Sequence, residues 1–110
     1  MEDEKTARIQ QLNDAFRTTF EGGRITLTQG ISSCGEIFVL AALAEVKTFS
    51  DFSEDNDPNH EHDFGSFEIE SQTLFWKIDY YAHDMEHGSE DPSDVTQTTR
   101  LLTIMLAEEY

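Results

Sequence analysis

The sequence predicts an α+β fold: a small, mainly antiparallel sheet of three or four strands with three helices, in the order α-β-α-β-β-β-α. Three observations lead there. Apolar residues recur at helical steps in the first twenty positions, apolar and polar residues alternate over 64–82, and glycines or polar stretches punctuate the segments between. A chain of 110 residues accommodates one domain, 1–110, with one modest core.

The first helix is predicted over about 4–20, where Ile9, Leu12, Phe16 and Phe20 share one face. Gly22-Gly23 ends it. "RITLTQ", 24–29, alternates Ile25 and Leu27 with Thr26 and Thr28, the pattern of a half-buried strand, and Gly30 breaks it. Ser33 and Glu36 have capping-box spacing, which predicts a second helix from about 34 to 47. Its "IFVLAALAEV" is apolar nearly all round, the mark of a helix buried in the core; the alternative is an exposed apolar strip for a partner.

"KTFSDF" is expected to add a short strand. "FGSFEIES" and "QTLFWKIDYYA" then read as a hairpin turning near Ser71-Gln72. Period-two alternation sets Phe67, Ile69, Leu74, Trp76 and Ile78 on its core face. A polar loop covers 82–93. Asp94 is expected to cap a last helix with Val95, Leu101, Leu102, Met105 and Leu106 on its apolar face.

Charge is the outlying property. There are 23 acids against 7 bases, a net charge of −16. Such a chain repels nucleic acid and anionic membrane and seeks a basic partner. The asymmetry is local: residues 51–94 hold fourteen acids and one base, Lys77. On an extended strand Glu68 and Glu70 would share a face ~6.8 Å apart, repelling by roughly 0.6 kcal/mol even in bulk water. Glu108 and Glu109, at the end of the expected last helix, would oppose its dipole. Folding gains nothing from such a pattern; solubility or a partner explains it.

One cysteine, Cys34, excludes an internal disulfide and points to a reducing cytoplasm. The start "MEDEK" is acidic, unlike a signal peptide, and the longest apolar run, 37–44, is far short of the ~20 residues that span a bilayer.

"DNDPNHEHD" offers ligand chemistry. His60, Glu61, His62 and Asp63, with Asp55, Asn56, Asp57 and the later His83 and His87, supply nitrogen and oxygen for zinc or a hard cation. On a strand His60 and His62 would share a face. No calcium-loop glycine and no HExxH pattern accompanies them, so neither metal nor cofactor is expected. Cys34 at a helix start would have the dipole of a nucleophile but lacks a histidine partner. With no Gly-rich phosphate loop, GxSxG or CxxC, the chain is not expected to be an enzyme.

"IQQLNDAFRTTFEGGRITLTQGI", "FSDFSEDNDPNHEHDFGSFEI", "FWKIDYYAHDMEHGSEDP" and "TTRLLTIMLAEEY" together resemble a family of small bacterial domains of unknown function, carried by proteobacteria and their mobile elements. The likeness spans roughly 9–110 and is weakest over "SSCGEIFVLAALAEV". The chain also resembles anti-CRISPR proteins, which are small, often acidic and phage- or element-borne. That resemblance implies a DNA mimic acting on a type I system.

The expected function is therefore an acidic inhibitor in the host bacterial cytoplasm. It would bind as a monomer to the basic DNA-binding subunit of a CRISPR surveillance complex and block target DNA, without itself touching nucleic acid or membrane. Asp51, Glu54, Asp55, Asp57, Glu61, Asp63, Glu68 and Glu70 are the expected phosphate surrogates. The alternatives are a metal-dependent enzyme using His60, His62 and Asp63, and an acidic adaptor with no mimic role.

Overall fold

A computed structural model of the chain describes residues 4–55 and 57–110. Helix α1, Glu4–Thr19, is followed by strand β1, Gly23–Leu27, the short helix α2, Gln29–Ser32, and helix α3, Glu36–Thr48. Strands β2, Phe64–Ile69, β3, Gln72–Tyr81, and β4, Thr99–Leu106, complete the sheet, and a 3-10 turn covers Ala107–Glu109. Sheet order is β1-β4-β3-β2. Only the β1–β4 pair is parallel; β2–β3 and β3–β4 are antiparallel. The expected α+β class, with four strands and three α-helices, is the one observed. No helix among the described residues is long and apolar enough to cross a membrane.

The hairpin forms as its alternation requires. Leu74, Trp76 and Ile78 are buried, and Phe67 and Ile69 pack against the same cluster. Glu70 and Ser71 both have positive φ, 50° and 67°, the requirement of a two-residue type I′ turn between Ile69 and its partner Gln72. Glu70 therefore belongs to the turn and does not share a strand face with Glu68. Gly65 lies where β2 crosses Trp76: a Cβ there would collide with the indole nitrogen and stand 2.7 Å from the Phe49 ring.

The expected last helix is instead β4. Leu101, Leu102, Met105 and Leu106 fit helical steps, but β4 lies between β1 and β3 and carries apolar groups on both faces, which a helical period imitates over eight residues. Arg100, Leu102, Ile104 and Leu106 face the helices, and Leu101, Thr103 and Met105 face away. Thr99, Thr103 and Ile104 are β-branched and suit a strand. The Asp94 carboxylate does cap, but it caps a turn: Oδ1 accepts from the Thr96 N–H and hydroxyl, and Oδ2 from the Gln97 amide.

Two other elements differ. The predicted second helix is two: Ser33 ends α2, and Gly35 (φ 97°) is the N-cap of α3, with no side-chain cap from Ser33. "KTFSDF" is no strand. Its lysine and threonine end α3, and Phe49 and Phe52 plug the core, their rings edge-on to each other at 5.1 Å and to Trp76 at 5.5 and 6.3 Å. Helix α3 buries Phe38, Ala42 and Val46 only, leaving Ile37 85% and Leu40 58% exposed, so it is amphipathic in burial though not in composition.

The core thus lies between one sheet face and the helices. The other face runs across Phe64, Ser66 and Glu68 of β2, Phe75, Lys77, Asp79 and Tyr81 of β3, and Leu101, Thr103 and Met105 of β4. No helix among the described residues covers it, and all but Glu68 (exposed) and Met105 (buried) are half-buried.

Candidate functional site

The acidic loop 50–63 joins α3 to β2 and is stitched onto α1 by side chains. The His62 ring lies flat on Phe52, centroids 3.7 Å apart and planes 3° from parallel. Its Nδ1 is 2.9 Å from Asp14 Oδ2 and its Nε2 3.6 Å from Asp57 Oδ2. Asp57, only 4% exposed, also accepts the His62 backbone N–H at 3.0 Å. Asp14 pairs with the buried Arg17 at 3.0 Å, and Arg17 donates to the Val46 carbonyl at the end of α3.

A second set of contacts fixes the other end of the loop. Asn13 donates to the Glu61 carbonyl and to the Tyr80 hydroxyl, which donates to Glu61 Oε1 at 2.8 Å. Arg100 reaches Asn13 and the Pro92 carbonyl while lying over the Tyr80 ring. Burial pushes the Tyr80 phenol up, against the Asn13 hydrogen bond, and burial pulls the Arg100 guanidinium down. His60 and His62 both have positive φ, 59° and 55°, and lie in turns, so the shared strand face expected of them is absent.

These contacts divide the eight expected partner residues. Asp51, Glu54, Asp55, Glu68 and Glu70 are exposed. Asp57 is buried, and Glu61 and Asp63 are half-buried. Asp57 and Glu61 face inward and hold the loop, Asp57 on His62 of the loop itself and Glu61 on the Tyr80 hydroxyl of β3, so they are withdrawn from any contact surface. Among the described residues, Glu54, Asp55, Glu68 and Glu70 take part in no ion pair. Asn56 lies outside the described residues.

Asp63 stands apart. Burial first, then the charge of Glu61 and those of Asp57 and Asp79, push its carboxyl up to about 6. It lines a recess of about 440 Å³ with Asp55, Phe64, Lys77, Asp79 and Tyr110. Within that recess the Lys77 ammonium pairs with Asp79 at 2.9 Å.

The ligand set proposed around His60, His62, Asp63 and His83 is not assembled. His62 is engaged by Asp14 and Asp57, and His83 meets Thr99 and the Thr96 carbonyl. Among the described residues, the His, Cys, Asp and Glu side chains that converge within 4.8 Å are Asp84, Glu86 and His87, all exposed. Asp84 is there a turn cap. Hydrogen bonds from the Glu86 N–H, the His87 side chain and the His87 N–H hold its carboxyl down at about 2. Cys34 lies between α2 and α3 rather than at a helix start, and its thiol points at the Gly30 carbonyl.

Glu109 also departs from expectation. It accepts from the Thr28 hydroxyl, the Gly30 N–H and the Leu106 N–H. These bonds, Thr28 first, hold its carboxyl below the usual range. Its charge joins the end of β4 to the start of α2 instead of opposing a helix dipole.

Sequence reasoning missed Asn13, Arg17, Tyr80 and Arg100 as the groups that anchor the loop. One signal was available: Asn13 and Arg17 sit at core-facing steps beside Ile9 and Phe16, where a polar side chain needs a partner.

A family model described as "Protein of unknown function (DUF3768)" matches residues 27–109. No curated protein and no solved structure matches the chain.

Proposed function

The chain belongs to this family of small domains of unknown function, and we propose that it is a non-enzymatic, element-borne inhibitor that binds a basic DNA-recognition surface of a bacterial defence complex. In this reading it is an anti-CRISPR protein of the host cytoplasm. It blocks target DNA by placing carboxylates where a type I surveillance complex expects phosphates.

One observation carries the reading. Glu54, Asp55, Glu68 and Glu70 are exposed and unpaired among the described residues, inside a segment with fourteen acids and one base. Asp57, Glu61 and His62 pin the loop beneath them, so Glu54 and Asp55 are presented from a braced backbone. The two-residue turn holds Glu70 at the hairpin tip beside Glu68. Fixed charges of one sign steer a basic partner and speed its approach.

The test is inhibition of target-DNA binding by a purified type I surveillance complex, read by fluorescence anisotropy. Inhibition should weaken as salt rises from about 50 to about 300 mM, because the screening length of exposed pairs falls from about 14 to about 6 Å. Glu68→Lys with Glu70→Lys should weaken it by about tenfold or more, since rim charges set association. Neither side chain enters the core, so thermal unfolding should be unchanged. Inhibition that survives the charge reversal, or that ignores salt, would overturn the reading.

A further inference from the structure

The uncovered sheet face carries an aromatic group that neither the core nor the acidic loop requires. Phe64, Phe75 and Tyr110 meet with ring centroids 5.2, 6.1 and 5.4 Å apart. Tyr110 is 74% exposed despite these contacts. Aromatic side chains in partly exposed clusters are enriched among the residues that dominate binding energy at protein interfaces. Beside them opens the 440 Å³ recess, whose rim holds Asp55, Asp63 and Asp79 against the single cation Lys77. Lys77 is already paired with Asp79, so Asp55 and Asp63 have no cation of this chain among the described residues. Glu68 extends the same face along β2.

We propose that this face is the contact surface for a basic protein, with Phe64, Phe75 and Tyr110 at its centre and the adjoining recess receiving an arginine side chain of that partner. The inference rests on the reading of the chain as a ligand for a basic protein surface, and adds where the centre of contact lies. A guanidinium suits the recess for two reasons. It is flat and weakly hydrated, so it stacks on Tyr110 or Phe64, and its fork of donors satisfies two carboxylate oxygens at once. An ammonium offers neither geometry. Nucleic acid is disfavoured by the carboxylates, and a second copy of the chain would bring a further −16 of charge against the same face.

The test uses the full chain with two probes, an oligo-arginine and an oligo-lysine peptide of equal length, followed by amide chemical shifts and calorimetry. Shifts should gather at Phe64, Phe75, Lys77, Asp79 and Tyr110. The arginine peptide should bind at least about threefold more tightly than the lysine peptide, the margin that stacking supplies. Tyr110→Ala should weaken it about fivefold or more with thermal unfolding unchanged. Asp63→Asn, which keeps the recess shape, should weaken it as well. Shifts spread evenly over 51–63 and 84–94, equal affinity for the two peptides, or indifference to both substitutions would overturn the proposal. So would shifts on this face that follow protein concentration alone, the sign of a second copy. If the peptide binds here while DNA binding by the surveillance complex is untouched, the inhibitor reading fails and this surface stands. If inhibition holds while Tyr110→Ala keeps full potency, this surface fails and the inhibitor reading stands.

Discussion

Arg100 donates from Nε to Asn13 Oδ1 over 2.6 Å, although 87 positions separate the two residues. Asn13 is fully buried and Arg100 is 3% exposed. An amide on α1 thus satisfies a guanidinium on the central strand, and the same amide holds the acidic loop through Glu61 and Tyr80. A buried cation without its partner is costly, because its desolvation is no longer offset by a directed hydrogen bond. Asn13→Leu should therefore cost about 3 kcal/mol of unfolding free energy, measured by chemical denaturation. A cost below about 1 kcal/mol would mean that Arg100 finds another partner.

Asp63 gives the pH dependence a definite sign. Its carboxyl ionises near 3.8 when unfolded and at about 6 when folded. The folded state therefore holds the proton more tightly, and this group's contribution is most favourable below about pH 3.8. That contribution declines as pH rises and is lost above about 6. Asp63→Asn removes the ionisation. At pH 7.5 it should raise stability by on the order of 1 kcal/mol, after discounting for solvent screening of a half-buried site. At pH 4 most of that gain should be gone. Denaturant melts at the two pH values decide it, and a larger gain at pH 4 would reverse the assignment.

The two faces of β4 are separable by mutation. Ile104 is fully buried against the helices, whereas Leu101 lies half-buried on the uncovered face. Ile104→Ala should cost about 2–5 kcal/mol. Leu101→Ala should cost less, because part of its side chain stays in water and its truncation leaves no enclosed cavity. Equal costs would indicate a covered sheet, or the helix that the sequence suggested.

Alternation over 64–82 made the hairpin legible because a sheet with one solvated face forces period two on its strands. The turn was legible to within a residue, and α1 likewise, from Ile9 and Phe16. β4 was not, since a central strand with apolar groups on both faces has no period of its own. The acids were legible as a charge but not as a surface. Nothing local marks Asp57 as buried and Glu54 as exposed; that distinction is made by Asn13, Asp14 and Tyr80, which are distant in sequence and arrive from α1 and β3. The contact face centred on Phe64, Phe75 and Tyr110 was hidden for a related reason: the register that sets Phe64 opposite Lys77 is visible only once β2 and β3 are paired.

The place of β4 between β1 and β3 has a consequence for biogenesis. Of the four strands the ribosome makes this one last, yet β1 has no other neighbour in the sheet. Until residues 99–106 emerge, β1 and the hairpin are two fragments with open edges, and the core between them cannot close. Pairings this distant along the chain slow folding and prolong the life of aggregation-prone intermediates. By then the nascent chain already carries most of its carboxylates, and their mutual repulsion keeps neighbouring unfinished copies apart. On this physical ground the surplus of negative charge should limit association between unfinished chains.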